Sequence, residues 1–202
     1  SFGDSATALK DDKIDAFLAK FETYLKQDVA KNNLLLGMLY GSKKGKYEEV
    51  NLVSVTDGEE VKLLAMQTPP KGFVTNVDAD KDAVELFIKT VESGNFVIPT
   101  FMASRENIPH IINNSAYEYR EHNSFLIYEL KEVLMPKGVK GSLEYVTEAD
   151  IELAAKWKYD FPIEVMPAEE HITMDQAVEK VKKNIDNKEI CFWMVDGKPV
   201  SY

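Results

Sequence analysis

The sequence predicts an α/β (α+β) fold with a mixed, mostly antiparallel sheet flanked by helices. Three observations lead there. Segments with helical apolar spacing alternate with short β-rich runs. Two pairs of β-rich runs meet at Asp-Gly, first at Asp57-Gly58 and again at Asp196-Gly197. That dipeptide marks a hairpin, because a type I′ turn needs positive φ at both central positions. Two helical segments open on Thr-x-x-Asp and Thr-x-x-Gln, the spacing of a capping box.

The first helix is predicted over "KIDAFLAKFETYLKQDVAKN", where Ile14, Phe17, Leu18, Phe21 and Leu25 form one apolar stripe. Asp11 or Asp12 can cap it. "LLLGMLY" (34–40) reads as a buried strand, or as a helix end running into one. Two strands then flank Asp57-Gly58, and Pro69-Pro70 ends the second. "GFVTNV" is a further short strand. "DADKDAVELFIKTVESG" is a helix with acidic caps and apolar Ala83, Leu86, Phe87 and Val91, stopped by Gly94. "FVIPTFMAS" reads as a strand, and Pro109 suits the first position of a helix. "SFLIYELKEVLMP" (124–136) reads as a clear strand.

"PKGVKGS" is the best internal boundary, giving expected domains at 1–136 and 137–202. Beyond it a strand at 142–147 runs into the Thr147/Asp150 box, followed by Ile151, Ala154 and Ala155 on one helical face. Thr173 and Gln176 start a second helix carrying Met174, Ala177, Val178, Val181 and Ile185. The last hairpin turns at Asp196-Gly197, so this part reads β-α-α-β-turn-β. No sequence repeat stands out, although both parts hold a strand-Asp-Gly-strand unit.

With 202 residues, 45% of them hydrophobic, the chain suits one large domain or one and a half ordinary ones. No run reaches the roughly 18 apolar residues of a membrane helix, and the N-terminus lacks the basic and apolar regions of a signal peptide. The net charge is −10 and the only arginines are Arg105 and Arg120, which argues against a nucleic-acid partner. Cys191 stands alone in an apolar strand, as expected of an inert buried thiol in a reducing cytoplasm. The chain starts on Ser1, not Met, and stops inside its last hairpin; the expectation is that the encoded protein extends at both ends.

Several motifs dissolve on inspection. "GSKKGKY" (41–47) has one residue too few between its glycines for a phosphate loop, and Tyr47 stands where Ser or Thr is needed; it reads as a solvated basic turn. "NNS" (113–115) matches a glycosylation acceptor without a secretory context. His110, His122 and His171 are scattered, with no metal-ligand spacing. "WKYDFPIEVM" (157–166) carries more. Trp157, Tyr159 and Phe161 alternate with charges just after the helix, and Glu164 follows Pro162. This is either a packed aromatic corner with a surface acid or an aromatic rim beside a carboxylate, able to hold a cationic amine.

The stretches "GSLEYVTEADIELAAKWKYDFPIEVM" and "ICFWMVDGKPVSY" resemble the opening of a GCN5-related N-acetyltransferase (GNAT) domain, and in particular a bacterial subfamily in which a GNAT-like region precedes the catalytic one. Gly141, Leu143, Thr147 and Asp150 match its G-x-L-R-x-A-T-x-x-D opening, with Glu144 in place of Arg and Val146 in place of Ala. Trp157, Phe161 and Glu164 match a W…F…E stretch, and Trp193, Asp196, Gly197, Pro199, Val200 and Ser201 match W-x-x-D-G-x-P-V-S.

The resemblance covers 141–202, with 12–135 similar in layout and length only. It implies a strand, two helices and an antiparallel β2-β3-β4 meander. It also implies acetyl-CoA bound on a β4-loop-α3 unit bearing Arg/Gln-x-x-Gly-x-Gly/Ala, and transfer of acetyl to a primary amine of a small molecule or peptide. That signature occurs nowhere in the 202 residues. The chain is therefore expected to hold an incomplete catalytic domain, with no cofactor-binding or metal residues of its own, and to be inactive alone. Trp157, Phe161 and Glu164 would border the acceptor groove, with Glu164 holding the ammonium group or taking a proton through water. The other expectation is a non-catalytic binding module on a degenerate GNAT-like fold. An unpaired edge at 198–202 would favour a homo-oligomer.

Overall fold

The computed structural model describes residues 7–10, as backbone, and residues 14–202. The expected cap at Asp11 or Asp12 lies outside the described residues. The architecture is mixed α/β, with two compact units, 1–131 and 132–202.

The first unit contains β1 (Thr7–Lys10), α1 (Ile14–Leu25), α2 (Val29–Lys43), β2 (Asn51–Asp57), β3 (Glu60–Gln67), β4 (Phe73–Thr75), α3 (Val84–Ser93), β5 (Phe101–Met102) and α4 (Ile108–Asn114). Its five strands lie in sequence order, antiparallel except for the parallel pair β4–β5. β2 and β3 are apolar on both faces because both faces are covered. Leu52, Leu64 and Met66 pack with Phe17, Phe21, Leu25, Leu35 and Leu39 of α1 and α2. Val53, Val55, Leu63, Ala65 and Phe73 pack with Phe87, Ile88 and Val91 of α3 and Ile111 of α4.

Residues 34–40 are helical and not a strand. Asp28 accepts from the Lys31 N–H at 3.0 Å and starts α2, and Leu35, Leu36 and Leu39 then fall on its buried side. A short apolar run has no period of its own, so the cap decides. The first hairpin also differs in detail. Asp57 pairs with Glu60, so Gly58 and Glu59 form the turn, and only Gly58 has positive φ (60°). That fits a II′-type turn and not the expected I′. The strand expected over 96–104 shrinks to Phe101–Met102, since Pro99 cannot donate to a ladder. Residues 124–136 form no strand and their large apolar side chains are exposed. Alternation alone does not make a strand without a neighbour to pair with.

The second unit contains β6 (Ser142–Tyr145), α5 (Ile151–Val165), α6 (Met174–Asp186), β7 (Cys191–Val195) and β8 (Lys198–Ser201). Both capping boxes form. The strands make an antiparallel sheet in the order β6-β7-β8. Asp196 (φ 48°) and Gly197 (φ 73°) make the two-residue I′ turn that the sequence predicts. One face carries α5 and α6 over Val146, Ile190 and Phe192, with Ala154, Ala155 and Ala177 allowing close approach. The other face is not covered by a helix of this unit. Leu143 pairs with Trp193 and Tyr145 with Cys191, and Leu143 and Tyr145 are 65% and 60% exposed. Cys191 is therefore half-buried and not buried as expected, because its strand position points it to this open face.

Gly141 sets how the chain enters β6. Its φ is +126°, and a Cβ there would lie 2.5 Å from Trp193 Nε1 and 2.6 Å from the Met194 carbonyl oxygen. The indole N–H donates to the Lys140 carbonyl at 3.2 Å, laying the ring across this position. Gly141→Ala is expected to cost the second unit about 2–3 kcal/mol, from left-handed strain plus the overlap. Thermal unfolding followed by tryptophan near-UV circular dichroism checks it; an unchanged midpoint contradicts it.

Among the described residues no helix is long and apolar enough to cross a membrane.

Candidate functional site

Trp157, Phe161 and Glu164 all lie within α5, which continues through Val165. The sequence places them just after the helix; the structure corrects this. Pro162 lies inside α5, where its missing N–H removes the helical bond to the Lys158 carbonyl, and the helix ends three residues later. The Met166 N–H closes the helix on the Pro162 carbonyl at 2.9 Å.

Helical geometry changes what these residues can do together. Spacings of four and seven put the three on one stripe, about 10 Å long at 1.5 Å per residue. Trp157 anchors it: its ring meets Phe192 edge-on at 5.5 Å and lies 5.9 Å from Tyr202. Phe161 is 62% exposed and Glu164 is exposed. Glu164 makes no ion pair among the described residues. The stripe thus grades from a packed indole to a free carboxylate, an apolar track ending in an anion. It offers a cationic amine a ring face and a counter-charge, but no enclosing wall.

Sequence reasoning gave no role to Lys158. Burial holds its ammonium below the usual lysine range, and Lys180 on α6 adds like-charge repulsion. The folded unit therefore loses this proton at lower pH than the unfolded chain. Between the lowered folded value and the ordinary value of 10.5 the unfolded state binds more protons, so this group makes stability rise with pH across that window. Lys158→Met is expected to raise the denaturation midpoint at pH 7 and to flatten that rise; a lower midpoint at pH 7 contradicts it.

The lysine-rich loop 41–47 does not form a phosphate cradle. The loop after α2 lies at the helix C-terminus, the negative end of its dipole. There the N–H groups of Lys44, Gly45 and Lys46 are spent on the carbonyls of Tyr40, Gly41 and Ser42. The loop between β4 and α3 is no better for a pyrophosphate. It carries Asp78, Asp80 and Asp82, and four of its N–H groups are taken. Val77 donates to Asn32 Oδ1, Ala79 to the Asn76 carbonyl, Asp80 to the Lys62 carbonyl and Asp82 to Asp80 Oδ1. Among the described residues no group of three His, Cys, Asp or Glu side chains could hold a metal ion.

Comparison of the chain with protein-family models, with curated proteins and with solved structures finds no match.

Proposed function

We propose that the chain is the N-terminal portion of an acetyl-CoA-dependent N-acetyltransferase acting on a primary amine in the cytoplasm. Residues 1–136 are a GNAT-like domain that does not bind the cofactor, and 137–202 open the catalytic domain. The observation that supports this most is an internal repeat of structure. Both units begin with a strand, two helices packed on one sheet face, and an antiparallel hairpin, with the three strands side by side in order. In the first unit β4, α3, β5 and α4 follow, and α3 and α4 cover the second face. In the second unit the corresponding face holds the exposed Leu143 and Tyr145. This shared arrangement is what supports the GNAT reading of both units.

On this reading the cofactor loop belongs to residues after Tyr202, and acetyl-CoA would supply the acyl group there. The contribution of this chain is the α5 stripe, which orients the acceptor amine. The purified 202-residue chain is expected to release no coenzyme A from acetyl-CoA with any amine; measurable turnover would overturn the reading. In the longer protein, Glu164→Gln is expected to raise the amine KM about tenfold, and unchanged kinetic constants would remove the role given to Glu164.

A further inference from the structure

Between the C-terminal end of α3 and the segment 115–119 lies a groove of about 370 Å³, within the range of small-ligand sites. Glu92, Gly94, Phe96, Ile98, Tyr117 and Tyr119 line it. We propose that this groove binds an organic cation, a guanidinium or alkylammonium group, held between the aromatic rings and the Glu92 carboxylate.

Three of its lining residues, Glu92, Phe96 and Tyr119, are held in place by contacts within the first unit. Glu92 accepts from the Ser115 hydroxyl and, at 3.0 Å, from the Ala116 N–H, which orients the carboxylate while leaving lone pairs free. Those donors are neutral, and Glu92 makes no ion pair among the described residues, so its charge is not cancelled. It sits in the last turn of α3, where the helix dipole adds negative potential. Phe96 is seated by the missing side chain of Gly94, where a Cβ would come within 2.5 Å of the ring, and by an edge-on contact with Phe73 at 5.6 Å. Tyr119 donates its hydroxyl proton to the Ile98 carbonyl at 3.0 Å and packs edge-on to Phe101 at 5.1 Å. Burial and then the charge of Glu92 raise the pKa of Tyr119, so the field of that carboxylate reaches across the groove. Tyr117, 61% exposed, forms the outer wall. Rigid rings facing a pre-oriented carboxylate favour a flat or rounded cation over a neutral isostere, through cation–π attraction and a charge-assisted hydrogen bond. Arg120 lines an adjoining hollow of about 550 Å³ that shares Tyr117 and Tyr119. The net charge of −10 further favours a cationic ligand.

The site belongs to the first unit and does not depend on the acetyltransferase reading. Titration of the 202-residue chain, by calorimetry and by NMR shifts of the tyrosine rings, tests it with L-argininamide and L-citrullinamide, both acetylated at the α-nitrogen so that the citrulline compound is neutral, and with acetyl-Gly-Arg-Gly-amide. L-argininamide is expected to bind at least about tenfold more tightly than L-citrullinamide. Tighter binding of the tripeptide assigns the cation to an arginine within a chain, and tighter binding of L-argininamide to a free small molecule. Glu92→Gln, whose amide oxygen can still accept from the Ala116 N–H while its NH2 donates to the Ser115 hydroxyl oxygen, is expected to abolish the preference for charge. Tyr117→Ala, at an exposed position that the fold tolerates, is expected to weaken L-argininamide several-fold. Equal binding of the neutral analogue, a preference surviving Glu92→Gln, or no saturable binding of either cation would overturn the proposal.

Discussion

Phe73→Ala is expected to destabilise the first unit by about 3–5 kcal/mol, the range for emptying a buried phenylalanine site. Phe73 is fully buried at the start of β4. Its ring meets Phe87 at 5.7 Å and Phe96 at 5.6 Å, both edge-on, and stacks with Phe101 at 6.5 Å. Phe87 and Phe101 also touch each other at 5.9 Å, so the rings form a closed set. Removing the central one leaves a cavity that three rigid neighbours cannot collapse into. Phe73→Leu refills most of the volume and is expected to cost less than half as much. Denaturant unfolding followed by far-UV circular dichroism measures both, and a loss below about 1 kcal/mol for alanine would contradict the packing described. Phe96 loses its backing in the alanine variant, so the groove beside it should slacken as well.

Gln67→Leu is expected to cost about as much by a different route. Gln67 is 1% exposed at the end of β3. Its Oε1 accepts from Asn51 Nδ2 at 3.0 Å, and its Nε2 donates to the Lys71 carbonyl at 2.8 Å and the Val97 carbonyl at 2.7 Å. One side chain thus ties β2, the turn before β4 and the strand-like run before β5. Leucine fills the same space but strands a buried amide and two carbonyls. At about 1–3 kcal/mol for each unmade bond, the total is about 3–5 kcal/mol after partial relaxation. Asn51 Oδ1 already lacks a partner among the described residues, so little slack remains to absorb the loss. Hydrogen exchange separates this variant from Phe73→Ala. The Phe73 N–H, bonded to the Thr100 carbonyl at 3.1 Å, should lose protection in Gln67→Leu more than the centre of β2 does. Uniform loss across the sheet would show that the three bonds do not act locally.

Much of this fold could be read from the sequence wherever a local device enforces it. Thr147/Asp150 and Thr173/Gln176 start their helices in the expected places, and Gly94 stops α3. Asp196-Gly197 turns its hairpin as expected, whereas Asp57-Gly58 turns one residue later. A register shift accompanies both hairpins, at Val55/Thr56 and at Trp193/Met194, so it does not set them apart. Residues 34–40 and 157–166 misled for one shared reason: each run continues a helix whose cap, Asp28 or the Thr147/Asp150 box, lies several residues upstream. The same error hid the geometry of the α5 stripe. Helical spacing puts Trp157, Phe161 and Glu164 on one stripe and takes Tyr159 off it. The groove at Glu92 had no sequence signal beyond the paired tyrosines Tyr117 and Tyr119. Its parts lie on segments far apart in the chain, joined only by the fold.

The stretch from Phe125 to Met135 has a cost that the protein must manage. Phe125, Leu126, Tyr128, Leu130, Leu134 and Met135 are each more than 60% exposed, on backbone in no helix or strand. Such a ribbon is a template on which other chains can stack into fibrils. Glu129, Lys131 and Glu132 break its apolar run and serve as gatekeepers, since a stacked register would bring like charges together at every layer. Their contribution is kinetic: they add nothing to the folded core, and they keep a sticky tether soluble.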